Sequence, residues 1–261
     1  MTGPRAALVA VCAAVYLFLM LPLLVVFPIS LSSAPYMQFP PPGLSWQWYE
    51  RYLDDPQWID ATVRSLYVGV ATMALSLALG VPLSFSLARG LYRGRALVDR
   101  VTMAPIVVPH IILSVAIYGL FAKLKMIGTW YGLVIAHTVL ALPFVALVMV
   151  AGLRDFDRTL EQAAAGLGAG RARVMWRVTL PLLRPSLVSA GLLAFISSFD
   201  EVVVALFLSG ASMTLPKKMF DNIMMEIDPT IAAVSVMQIL LVSVALFLVG
   251  RFGRGLGAAA R

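Results

Sequence analysis

The chain has 261 residues, 61% of them hydrophobic and 13% charged, with a mean hydropathy of +0.90; soluble domains carry about 25% charged residues, which excludes an ordinary soluble fold. One cysteine, Cys12, leaves no internal disulfide and no multi-cysteine metal site. The net charge of +7 calls for no nucleic acid, because the basic residues gather where anionic lipid and a cytoplasmic partner would meet them.

Six apolar runs approach or exceed the about 20 residues a helix needs to cross a bilayer. They span residues 6–29, 65–88, 101–122, 131–153, 187–209 and 230–250, so the expected fold is an all-α integral membrane protein with six transmembrane helices. The first run follows Arg5 and precedes Ser32, Ser33 and Ala34. It is longer than the roughly 7–15 residues of a secretion-signal core and reads as a retained span.

The external piece 30–64 contains FPPPGLSWQWYERYLDD. Its prolines favour an extended arm, Ser45 is placed to cap a short helix, and Trp46, Trp48, Tyr49 and Tyr52 read as an aromatic belt at the lipid interface. Prolines 22, 28, 82, 105, 109 and 143 lie in or near spans and point to kinks. His110 and His137, one in the third span and one in the fourth, read as packing residues; no carboxylate or cysteine spacing supports a metal.

Residues 154–186, RDFDRTLEQAAAGLGAGRARVMWRVTLPLLRPS, form the one long inner loop. Asp155, Asp157 and Glu161 suit a helix N-terminal turn. Gly166, Gly168 and Gly170 then interrupt the helix before the basic segment 171–178. The pattern predicts two short helices joined by a glycine bend. A face of Ala163, Ala164 and Ala165 has so little bulk that it suits a groove on another protein, with Arg171, Arg173 and Arg177 facing acidic groups or lipid phosphates.

Cytoplasmic termini place 14 of the 20 basic residues inside: Arg5, Arg89, Arg93, Arg95, Arg100, Arg154, Arg158, Arg171, Arg173, Arg177, Arg184, Arg251, Arg254 and Arg261. That asymmetry follows the positive-inside rule.

The loop resembles the signature of the inner-membrane permease subunits of binding-protein-dependent ABC importers: Glu-Ala-Ala, three residues, Gly, nine residues, Ile, one residue, Leu-Pro. Here Gln162, Ala163, Ala164, Gly168, Val178, Leu180 and Pro181 occupy those positions. Gln replaces Glu and Val replaces Ile, with Glu161 adjacent. The resemblance implies a type I (MetI-like) permease core with a cytoplasmic coupling helix. Glu161, Gln162, Ala163, Ala164, Gly168, Ala169, Arg171, Val178, Leu180 and Pro181 would meet an ATP-binding cassette ATPase dimer.

It further implies a second permease subunit, identical or related, and an extracytoplasmic solute-binding protein. The expected location is the bacterial inner membrane. The chain lacks a Gly-x-x-x-x-Gly-Lys-Ser/Thr phosphate loop. ATP and Mg would therefore belong to the partner, with no cofactor, metal or catalytic residue in this chain. The expected organisation is a first span with external arm (1–64), a five-helix core (65–255) and a tail (256–261).

Asp200 and Glu201 interrupt the fifth apolar run with no basic residue within ten positions. Each ionised acid near mid-bilayer costs roughly 2.5–3.5 kcal/mol against lipid, so both must face water, protein or a cation. On a helix, neighbours lie about 100° apart, so both acids border one cavity, and Ser197 and Ser198 widen that polar arc. The reading is a negatively lined pathway for a cationic solute.

The stretches SSFDEVVVALFLSG, TLPKKMFDNI, APIVVPHIILSVAIYGLF and AHTVLALPFVALVM resemble the polyamine (spermidine/putrescine) branch of these permeases. Two alternatives stay open. One is another small solute, amino acid-like or an aminophosphonate; the other is an ATP-independent ion- or proton-coupled carrier titrating at Asp200 and Glu201.

Overall fold

A computed structural model describes residues 3–225 and 228–258. Arg261, in the expected tail, lies outside them, and the side chains of Arg251 and Arg254 are not described. The described residues are helical apart from connections and one isolated bridge between Ser32 and Leu44. They form two compact units, residues 1–60 with 218–242 and residues 61–217 with 243–261.

The first unit starts with α1 (Gly3–Ser30), whose apolar window is 0% buried within the chain. The arm after it does not extend. Ser33 N–H donates to the Gly43 carbonyl at 3.0 Å and Ser45 N–H to Leu31 at 2.7 Å, folding 31–45 back on itself. Ser45 Oγ accepts the Gln47 N–H at 3.2 Å just ahead of α2 (Gln47–Asp54), but the cap position itself is Trp46 and not the expected Ser45. The aromatic belt divides: Trp46 is exposed, whereas Trp48 and Tyr52 are buried. Burying an indole requires a partner for its N–H, and Trp48 Nε1 donates to the Ser32 carbonyl at 2.7 Å.

The second unit is built on α6 (Trp130–Asp155), the most buried of the long helices. Around it lie most of α3 (Pro56–Arg89), α4 (Arg95–Val107) and α5 (His110–Lys123). Small residues let these helices approach, the usual basis of association in lipid. A Cβ on Gly80 would stand 2.5 Å from Val145 Cγ1, and one on Gly152 would overlap Ser186.

Beyond α6 come α7 (Thr159–Gly166), α8 (Arg171–Val174), a π-helical turn (Met175–Thr179) and α9 (Leu180–Leu182). They are followed by α10 (Arg184–Phe199), α11 (Val203–Leu208), α12 (Leu215–Met225) and α13 (Thr230–Ala258).

Among the described residues four helices are long and apolar enough to cross a bilayer alone, and counting each of two bent pairs as one crossing gives six. In the third run, α4 and α5 meet at 107°. Pro109 lies at that joint, and the residue before a proline is driven out of the helical region; Val108 has ψ 129. The fifth run is not one helix over 187–209. Residues 171–182 meet α10 at 70°, α10 stops at Phe199, and the chain restarts as α11 at Val203. The architecture is an all-α, six-crossing membrane protein with a cytoplasmic-loop helix in the place expected of a coupling helix.

Candidate functional site

Two places in the second unit carry the groups singled out by sequence. The first is the elbow formed by α7 and α8. α7 has no buried residue. It ends with the Ala169 N–H donating to Ala164 at 3.1 Å and the Gly168 N–H to Ala165 at 2.9 Å, around Gly168 at φ +85. That paired arrangement closes a helix with one left-handed residue, a conformation glycine adopts without penalty. Gln162, Ala163, Gly168 and Arg171 are exposed and Ala164 and Ala169 half-buried, leaving the low-relief face open. Val178, Leu180 and Pro181 are half-buried in the run leading into α10.

Glu161 faces inward. Both carboxylate oxygens accept from Arg89 Nη1 at 2.9 Å, and Oε1 also accepts from Thr179 Oγ1 at 2.5 Å. Arg89, the last residue of α3, lies over Phe85 at 5.1 Å and Phe156 at 5.5 Å. Burial pushes the Glu161 carboxyl up. The Thr179 and Arg89 hydrogen bonds and the charges of Arg89 and Arg158 outweigh that and hold it below the usual glutamate range.

A cleft of ≈ 350 Å³ opens beside this tie, lined also by Gln162, Ala165, Arg171 and Met175. Glu161 thus spends its acceptors within the chain, and Gln162 is the one that faces out. Sequence reasoning missed Arg89 and Thr179. The available signals were a lone basic residue ending a long helix and the unspecified position between Val178 and Leu180.

The second place is the break after α10. Ser197, Ser198, Asp200 and Glu201 do not share one face, because the helix ends among them. Asp200 caps α10 and is exposed, with no side-chain partner among the described residues. Glu201 is 7% exposed; its Oε1 accepts the Val204 N–H at 3.0 Å and so starts α11. Its Oε2 lies 3.5 Å from His110 Nδ1. His110 is the first residue of α5, half-exposed, so it is not the packing residue expected. Two interrupted helices therefore meet through a histidine and an acid. Broken helices are tolerated at membrane depth where protein or a water-filled cavity meets their free backbone groups.

Ser198 turns the other way. Its hydroxyl pairs with His137 Nδ1 at 2.8 Å and donates to Thr72 at 3.3 Å, bolting α10, α6 and α3 together. His137 is fully buried and does act in packing, as its position in the fourth span predicts. Among the described residues no group of three or more His, Cys, Asp or Glu could hold a metal ion.

Residues 80–257 match the family "Binding-protein-dependent transport system inner membrane component". The chain belongs to this family. The permease is 29% identical over 228 residues to the spermidine/putrescine transport system permease protein PotC of Haemophilus influenzae, covering 87% of this chain and 88% of that one. It is 32% identical over 205 residues to the putrescine transport system permease protein PotI of Escherichia coli K12, covering 74% and 72%.

Among solved structures, a bacterial ABC transporter that imports alginate superposes with a TM-score of 0.72 at 20% identity over 95% of this chain and 96% of that one. The MetNI methionine ABC transporter gives 0.62 at 21% identity over 77% and 99%. These two likenesses speak for the fold. The permease is a multi-pass membrane component of a transport system, and the elbow occupies the loop where the signature was read.

Proposed function

We propose that the permease, with a second identical or related permease, sits on two ATP-hydrolysing subunits and imports a small cationic solute of the polyamine type. An extracytoplasmic binding protein would deliver that solute, and both termini would lie in the cytoplasm. The observation that carries the reading is the acidic break. An exposed Asp200 stands beside a buried Glu201 whose Oε2 lies 3.5 Å from His110 of another helix. An amine carries the charge opposite to those carboxylates, and the positioned side chains would exchange water for it at little reorganisation. The names of the relatives, spermidine/putrescine and putrescine permeases, support the same solute class.

Movement would come from outside the chain. Closure of the nucleotide-binding pair would push on Gln162–Gly170, and the Arg89–Glu161–Thr179 tie would pass that push to α3 and to the run entering α10. Helices on either side of the break would then shift between outward and inward access. ATP and Mg stay with the partner.

The test is uptake of labelled spermidine by the reconstituted complex. Asp200→Asn, which keeps size and removes charge, is expected to cut uptake at least about tenfold, the effect of about 1.4 kcal/mol. Unchanged uptake kinetics in Asp200→Asn and Glu201→Gln would remove both acids from the pathway, and uptake that persists without the ATPase would remove the coupling.

A further inference from the structure

A cleft of ≈ 390 Å³ lies between the last turns of α3 and α6 and the first turn of α4. Its walls are Leu87, Ala96 and Val150; its polar groups are Arg95, Asp99 and Arg154. None of these three charged side chains has a hydrogen bond or ion pair among the described residues. Two guanidinium groups and a carboxylate therefore face a half-open space without partners. The first turn of α4 next to them carries no acid and no side-chain cap, so Asp99 is the one carboxylate in the cleft against two arginines.

We propose that this cleft binds the phosphate-bearing headgroup of a bilayer lipid, and that Asp99 selects one carrying an amine. Guanidinium groups match phosphate oxygens in a planar, paired geometry, and two of them on one phosphodiester leave the arginine excess satisfied. The remaining carboxylate would repel a purely anionic headgroup and pairs with an ammonium. A zwitterionic phosphoethanolamine thus complements all three charges, whereas phosphoglycerol leaves Asp99 unpaired.

Location agrees with the chemistry. Arg154 is the first charge after the fourth apolar run, and Arg95 precedes the third, which puts both where a hydrocarbon core gives way to headgroups. Leu97 and Val101, each 64% exposed on α4, offer apolar surface to the acyl chains. The inference requires only that the permease crosses a bilayer, so it stands or falls apart from the solute and the ATPase.

The experiment is native mass spectrometry of the intact transporter complex exchanged into nanodiscs of mixed phosphatidylethanolamine and phosphatidylglycerol. The wild type is expected to retain phosphatidylethanolamine. Arg95→Gln with Arg154→Gln should lower retention about tenfold or more, since each charge-assisted bond lost is a strong one. Asp99→Asn should abolish the preference for phosphatidylethanolamine over phosphatidylglycerol.

Arg95→Lys with Arg154→Lys, which keeps the charge, should retain more lipid than the glutamine pair and guards against loss of fold. Equal retention in wild type and the glutamine pair overturns the site. Displacement of the lipid by excess inorganic phosphate overturns the lipid in favour of a free anion, and an unaltered preference in Asp99→Asn overturns the amine.

Discussion

Glu161→Gln is the sharpest test of how the elbow is held. The substitution keeps one acceptor oxygen, which can still serve Thr179, but removes the charge and turns an amide N–H₂ toward Arg89. Arg89 already has Nε and Nη2 buried without a hydrogen-bond partner, so Glu161 supplies the guanidinium's hydrogen bonds. Exposed ion pairs contribute about 0.2–1 kcal/mol, and removing one partner of a fully buried pair costs about 3–5 kcal/mol. With both side chains 20% exposed, the loss falls between, about 2 kcal/mol after allowing for solvent screening. That is about 30-fold in the equilibrium between α7 docked and α7 released from the end of α3.

Amide hydrogen exchange of residues 159–170 in the assembled complex reads this directly. Glu161→Gln and Arg89→Gln are expected to speed exchange there to similar extents, and the double variant should add little, because the two remove one shared interaction. Thr179→Val, which deletes a single hydroxyl donor, should have a smaller effect of about 1 kcal/mol. On the proposed coupling, in which a push on α7 passes to α3 through this tie, the Glu161→Gln complex should hydrolyse more ATP per solute moved in transport assays. Exchange in 159–170 that stays at the wild-type rate in both single variants would refute the tie. Additive effects in the double variant would refute the pairing of these two residues.

The same carboxylate makes the elbow sensitive to acid. Its value in the fold lies below the ordinary 4.5, so its stabilising contribution is fully present above that pH and is lost as the pH falls through the lowered value; exchange in 159–170 should rise over that range in the wild type and not in Glu161→Gln. At the bend, Gly168→Ala places a Cβ at φ +85 and should weaken the turn by about 1–2 kcal/mol through backbone strain alone, seen as faster exchange even in the isolated permease. Gly166 has no positive φ and a Cβ there meets nothing within 4 Å in this chain, so Gly166→Ala should leave exchange unchanged, while the bulkier Gly166→Leu should block assembly with the proposed ATPase, measured by co-purification. Gly152→Val drives a side chain into Ser186 and should lower the thermal stability of the detergent-purified permease by about 1–3 kcal/mol.

The elbow was legible because its signal is local. Small residues at Ala163–Ala165, a glycine where a left-handed turn closes the helix, and a Leu-Pro pair further on all lie within one short stretch. The division of labour between Glu161 and Gln162 was not, since the partner that decides it, Arg89, lies 72 residues away on another helix. The external arm misled for a related reason: prolines restrict the chain locally, but the hydrogen bonds from Ser33 and Ser45 that fold it back are set by tertiary contact.

The acidic break shows where hydropathy stops being informative. Residues 187–209 are apolar enough to read as one span, and no proline or glycine lies between Phe199 and Val203. Ser197-Ser198-Phe199-Asp200 holds residues common at helix ends in the middle of an apolar run, although Ser198 bonds the side chains of His137 and Thr72 and not the backbone. Glu201 then makes the restart possible by accepting the Val204 N–H.

Glu201, which accepts the Val204 N–H at the start of α11, cannot be replaced by an apolar residue without leaving that N–H unpaired away from water. Its charge, however, is more than a cap requires, since a neutral glutamine would accept the same hydrogen bond. That surplus, 3.5 Å from His110 on a second interrupted helix, is what the proposed cation pathway would draw on.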